Sequence, residues 1–156
     1  MEKNNEILNL EQKMVEVKAW LAYADMDFNT ADHLLNGAFY PLPLEIICYH
    51  SQQAAEKAVK AVIVYFGNHG GMPKVHDISF LMNQVHNAVK EKTGVEISET
   101  LLDYADNLTK YGVMPRYPNE IEVDEYMAKT AVAQASKILE WAKNIVANTN
   151  RKEVKR

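Results

Sequence analysis

The chain has 156 residues, 47% hydrophobic and 24% charged, a length and balance that fit one globular domain with a real core and exclude both a disordered chain and a second domain. The net charge of −4 argues against a broad phosphate-binding surface, since non-specific nucleic-acid affinity comes from clustered Lys and Arg. The single cysteine, Cys48, excludes an intramolecular disulfide and a multi-cysteine metal site. No apolar run approaches the ~20 residues that span a bilayer, so the expectation is a cytoplasmic protein with no membrane segment.

Apolar spacing is helical nearly throughout, interrupted by Gly and Pro where helices should stop. The first helix is expected from about Glu11 to Asn36, with Val17, Trp20, Ala24, Phe28, Ala31 and Leu35 recurring at three- and four-residue steps before Gly37. A second helix follows Pro41 and Pro43 and runs to Phe66, where Gly67 suits a left-handed stop. Read at 100° per residue, it carries Cys48, Ala55, Val59, Val62 and Phe66 on one face and a polar row of His50, Gln53 and Lys57 on another. Asp77 is a credible cap for a third helix that carries Ile78, Leu81, Val85 and Val89 and stops near Gly94. Ser98 caps a fourth, with Leu101, Tyr104, Leu108 and Tyr111 inward. Pro115 and Pro118 then bracket Arg116 and Tyr117 in a restricted, non-helical segment. The fifth helix is expected from about Asp124 to Ala147. The fold class is therefore all-α, a five-helix up-and-down bundle over residues 11–147, with polar tails at 1–10 and 148–156, the second of them frayed and solvated.

The chemical inventory is sparse. The five histidines include no pair at the HExxH spacing, so no metal site is expected. Gly67, Gly70, Gly71 and Lys74 do not complete a phosphate-loop motif, and no strand precedes them. Cys48, on an apolar face with no base in sequence reach, reads as a buried small hydrophobe. No cofactor is expected.

Three stretches carry more. They are Cys48-Tyr-His-Ser-Gln-Gln-Ala-Ala-Glu-Lys-Ala-Val-Lys-Ala61, Lys74-Val-His-Asp-Ile-Ser-Phe-Leu81 and Tyr111-Gly-Val-Met-Pro-Arg-Tyr-Pro118. In this order, between the Trp20 helix and the closing alanine-rich helix, they resemble the HEPN family of small helical domains over about Val15 to Ile145. The resemblance implies a helical bundle of the kind described as a nucleotidyltransferase substrate-binding subunit, usually a homodimer and often produced beside a minimal nucleotidyltransferase. It implies a nucleotide or RNA ligand. Arg116, between two prolines, would grip phosphate in two bonds; Tyr117 would stack on a base; His50 and Lys57 would face the same cleft; and His76 would complete it, beside the helix-three N-terminus as a favourable end for an anion. The alternative is structural: Arg116 pairs with a buried carboxylate or caps a helix, and His50 and His76 are bonded core histidines.

The chain departs from the RNA-cutting members of the family, which carry Arg and His with four to six residues between them. Here those positions after Arg116 are Ile121, Glu122 and Val123, and Arg151 and Arg156 follow the last histidine. The expectation is a non-catalytic nucleotide- or substrate-binding subunit. Its alternatives are a toxin-like HEPN endoribonuclease with a non-standard acid-base set, and a structural protein-interaction module.

Overall fold

A computed structural model describes residues 2–38, 40–67, 73–112 and 122–155, with side chains from Asn9 onward. Among these residues the order is α1 (Glu2–Asn36), α2 (Leu44–Phe66), α3 (Ile78–Thr93), α4 (Glu99–Thr109) and α5 (Glu125–Val154), without a strand. The five-helix reading holds. Where helices begin, the sequence logic is visible: Asp77 accepts from Phe80 N–H, Ser98 from Leu101 N–H and Asp124 from Met127 N–H, each satisfying one orphan donor of a first turn. At the other end of α3, Gly94 adopts φ 73°, the left-handed stop that a residue without Cβ takes at no steric cost. Gly67 corrects the expectation for α2, since it is extended at φ −83° and ψ 154° while its N–H still bonds Ile63 O.

Both long helices exceed their expected bounds. α1 begins at Glu2, because residues 2–10 contain neither Gly nor Pro to stop it. α5 runs to Val154 instead of fraying after Ala147, and its last turns are tied to the bundle. Thr149 is buried, and Glu153 accepts from Tyr65 Oη at 2.5 Å and pairs with Lys92 at 2.6 Å.

The central element is α2, which touches each of the other four helices. Fifteen of its residues are buried, among them Ala54, Ala55, Ala58 and Ala61, and α5 answers with fully buried Ala128, Ala131, Ala135 and Ala142. Small side chains let helix axes approach closely, so enlarging any of them would cost about 1–3 kcal/mol through overpacking. α1 contributes Val17, Ala24 and Ala31, all fully buried at seven-residue spacing. No described helix is long and apolar enough to cross a membrane.

Candidate functional site

On an alanine-rich helix the polar residues are conspicuous, and α2 carries two groups of them. The first is built on Asp27, which α1 presents half-way along its contact with α2. Its Oδ1 lies 2.8 Å from His50 Nδ1 and its Oδ2 2.5 Å from Lys57 Nζ. A carboxylate only accepts, so Nδ1 of His50 carries the proton and the opposite ring nitrogen, Nε2, is the acceptor of the neutral ring. The side chains of His50 and Lys57 both keep 25% of their exposure, against 13% for Asp27. Tyr49 meets the His50 ring edge-on at 5.4 Å, and Lys57 Nζ lies 6.0 Å from the centre of the Tyr23 ring. The arrangement holds an imidazole and an ammonium side by side at the surface, both oriented from beneath by one anion. Each retains hydrogen-bonding capacity toward a solvent-borne group.

The second group is built on Glu56, one of the few carboxylates inside the bundle, with its side chain 4% exposed. Its Oε1 accepts from Gln52 Nε2 at 3.2 Å and lies 2.9 Å from His76 Nδ1, while Oε2 faces Lys60 Nζ at 3.4 Å. Gln52 also donates to His76 O at 3.2 Å and accepts from Gln53 at 2.7 Å. Lys60 in turn lies 5.5 Å from the centre of the Trp20 ring. A charge removed from water must be paired and fully bonded, and here the pairing fastens the approach to α3 onto α2. A Cβ on Gly112 would come within 3.3 Å of Gln52 Nε2. Gln52 therefore packs directly against the backbone that leads into residues 113–121.

The expected site residues consequently fall into two places. His50 and Lys57 come together on Asp27, whereas His76 joins a different carboxylate, with its own side chain 71% exposed. Arg116 and Tyr117 lie outside the described residues. At the helix-three N-terminus Asp77 Oδ1 accepts from Phe80 N–H and Thr109 Oγ1 accepts from Ile78 N–H at 3.2 Å, so two first-turn donors are already bonded within the protein. Sequence reasoning missed Asp27, Gln52, Glu56 and Lys60. For the last three a signal existed, since acid, amide and base at four-residue steps on a helix otherwise rich in Ala and Val mark a buried polar line; Asp27 gave none.

Two neighbouring groups are chemically quiet. Burial pushes the Cys48 thiol up to about 11, with a hydrogen bond to Tyr111 working the other way, so the residue stays a protonated thiol at neutral pH. Burial, and then Cys48, pushes Tyr111 up to about 12. No group of three His, Cys, Asp or Glu among the described residues could hold a metal ion. A cleft of ≈ 400 Å³ lies well away from His50, where Lys92, Val95, Trp141, Asn148 and Glu153 line the ends of α3 and α5.

Comparison with known proteins supplies the context for this geometry. A family model described as HEPN domain matches residues 17–145. A curated protein named "Putative toxin MJ1304", from Methanocaldococcus jannaschii, is 30% identical over 139 residues, which is 83% of this chain and 87% of that protein. Two crystal structures superpose well. One is TT1696 from Thermus thermophilus, with a TM-score of 0.67 at 24% identity over 83% of this chain and 98% of that one. The other is ST0689, described as an archaeal HEPN homologue, with a TM-score of 0.62 at 27% identity over 84% of this chain and 98% of that one.

Proposed function

The chain belongs to the HEPN family, and from that premise we propose that it is a nucleotide- or substrate-binding subunit that does not itself catalyse, acting as a homodimer beside a minimal nucleotidyltransferase. The observation that carries this reading is the pair of His50 and Lys57 oriented by Asp27 at the surface of α2, combined with the absence of the Arg-x4-6-His pattern from the sequence. A phosphate placed against Lys57 gains a charge-assisted bond from an ammonium already held in position, so little ordering entropy is lost on binding. Arg116 is assigned as the second phosphate contact, Tyr117 as the base-stacking side chain and His76 as a contact from the neighbouring cluster. Calorimetric titration of the full chain with ATP and with a short RNA tests the reading. Lys57→Ala and Arg116→Ala should each weaken binding at least tenfold while the protein stays folded, and unchanged affinity in both would overturn it.

The second reading, a toxin-like endoribonuclease, is favoured by the name of the archaeal relative and by the fixed ring orientation of His50, which a general base requires. It predicts that purified protein cuts RNA and that His50→Ala stops the cutting. Intact RNA at high protein concentration would reject it.

A further inference from the structure

The cleft of ≈ 400 Å³ at the ends of α3 and α5 plays no part in the reading above. It begins at Trp141, about 24 Å along α5 from Glu125, on the half of the helix away from residues 113–121. Its α5 wall is a single helix face, since Trp141, Ile145, Asn148 and Lys152 recur at steps of four, three and four. That face changes character along its length. Trp141 and Ile145 are half-buried against the core, and with Val95, which follows α3 and is 59% exposed, they make one end of the cleft apolar. Asn148 and Lys152 are exposed and make the other end polar. Asn148 Oδ1 accepts from the Arg151 guanidinium, which leaves its N–H groups as the donors it can offer. Ile145 and Lys152 are roughly 10 Å apart along the helix axis, room for a two-ring body with an acid group at its end.

The polar end is cationic, although the chain as a whole carries −4. Lys92 and Lys152 stand there with one carboxylate, Glu153, and both oxygens of that carboxylate are engaged, one by Lys92 at 2.6 Å and the other by Tyr65 Oη at 2.5 Å. A third ammonium lies behind them, Lys13 Nζ being 4.6 Å from the centre of the Tyr65 ring. Glu96, next to Val95, is bonded by Lys90 at 2.6 Å. The carbonyl end of α3 carries partial negative charge, which Lys90 and Lys92 in its last turn offset, so the positive surplus falls at Lys152. We propose that this cleft is a separate ligand site, for a small organic anion with a flat aromatic body. The rings lie against Trp141, Ile145 and Val95, and the acid group takes a charge-assisted bond from Lys152 and an N–H bond from Asn148. The volume falls in the range of about 300–1,000 Å³ in which small-molecule sites lie. The site shares no residue with the pair of His50 and Lys57, and either can exist without the other.

The test titrates the full chain carrying Trp20→Phe, which leaves Trp141 as its one tryptophan, with 8-anilinonaphthalene-1-sulfonate. The dye should saturate at one per chain and quench Trp141 by energy transfer as its own emission rises. Lys152→Glu should weaken this binding at least tenfold, yet change the binding of N-phenyl-1-naphthylamine, the same ring system without the sulfonate, less than threefold. Asn144→Phe, which fills the cleft from its exposed rim, should stop both dyes while circular dichroism shows the helices intact. Failure of the sulfonate to quench Trp141 saturably, or its continued binding to the folded Asn144→Phe protein, would overturn the site. A Lys152→Glu protein that treats the two dyes alike would overturn the assignment of an anion.

Discussion

Asp27 and Glu56 each pair with a histidine and a lysine, yet one stands at the edge of the bundle and the other within it. Asp27 spends its two oxygens on side chains that reach water, so its effect is to orient them. Glu56 spends its oxygens on Lys60, Gln52 and His76, and the first two of these are themselves buried. The same pairing of charges thus leaves His50 and Lys57 open to solvent at Asp27 and ties Lys60 into the bundle at Glu56. Depth decides, because an unpaired ion is tolerable in water and costly without it.

The largest test of that contrast is Glu56→Ala. It leaves the Lys60 ammonium and the Gln52 amide buried without their acceptor, and urea denaturation should show a loss of about 3–5 kcal/mol. Asp27→Ala should cost only about 1 kcal/mol, since its partners can turn to solvent, but it should weaken nucleotide binding in calorimetry more than Glu56→Gln does. If the two alanine variants prove equally destabilising, the distinction between the sites collapses. A third carboxylate sharpens it. Burial acts to raise Glu153, but the bonds from Lys92 and Tyr65 prevail and leave its carboxyl below the ordinary value of 4.5. With a depressed folded value, its stabilisation is complete above about pH 4.5 and is lost as pH falls through the lower folded value. Glu153→Gln should therefore flatten the acid limb of a stability-against-pH curve and leave it unchanged near pH 7 in shape. The smallest effect expected is at Cys48, whose thiol should resist a thiol-reactive dye at pH 8 in the native protein and react at once in urea.

The helices were legible because their signals are local. Periodic Val17, Ala24 and Ala31, the caps Asp77 and Ser98, and the stop at Gly94 each act within a turn or two of the chain. The end of α5 lies beyond its expected bound because tertiary contacts decide it, as Tyr65 and Lys92 do for Glu153. Within the candidate site, the polar row of His50 and Lys57 could be read from spacing on one helix. Its anchor could not, since Asp27 precedes His50 by 23 positions and looks from sequence like any solvated acid. Glu56 stands beside Lys57 in the sequence and reads as half of an exposed charge pair, although it is buried away from that neighbour.

The position of α2 against all four other helices also has a temporal meaning. No partial opening that frees this helix can leave the remainder docked, so its amides should report the global unfolding event and exchange their hydrogens most slowly. α1 is joined to it through the short connection of residues 37–43, so their pairing costs little loop entropy. A molecule bound at His50 and Lys57 would then slow exchange along α2 as a whole, so its effect would be seen at turns of that helix it never touches.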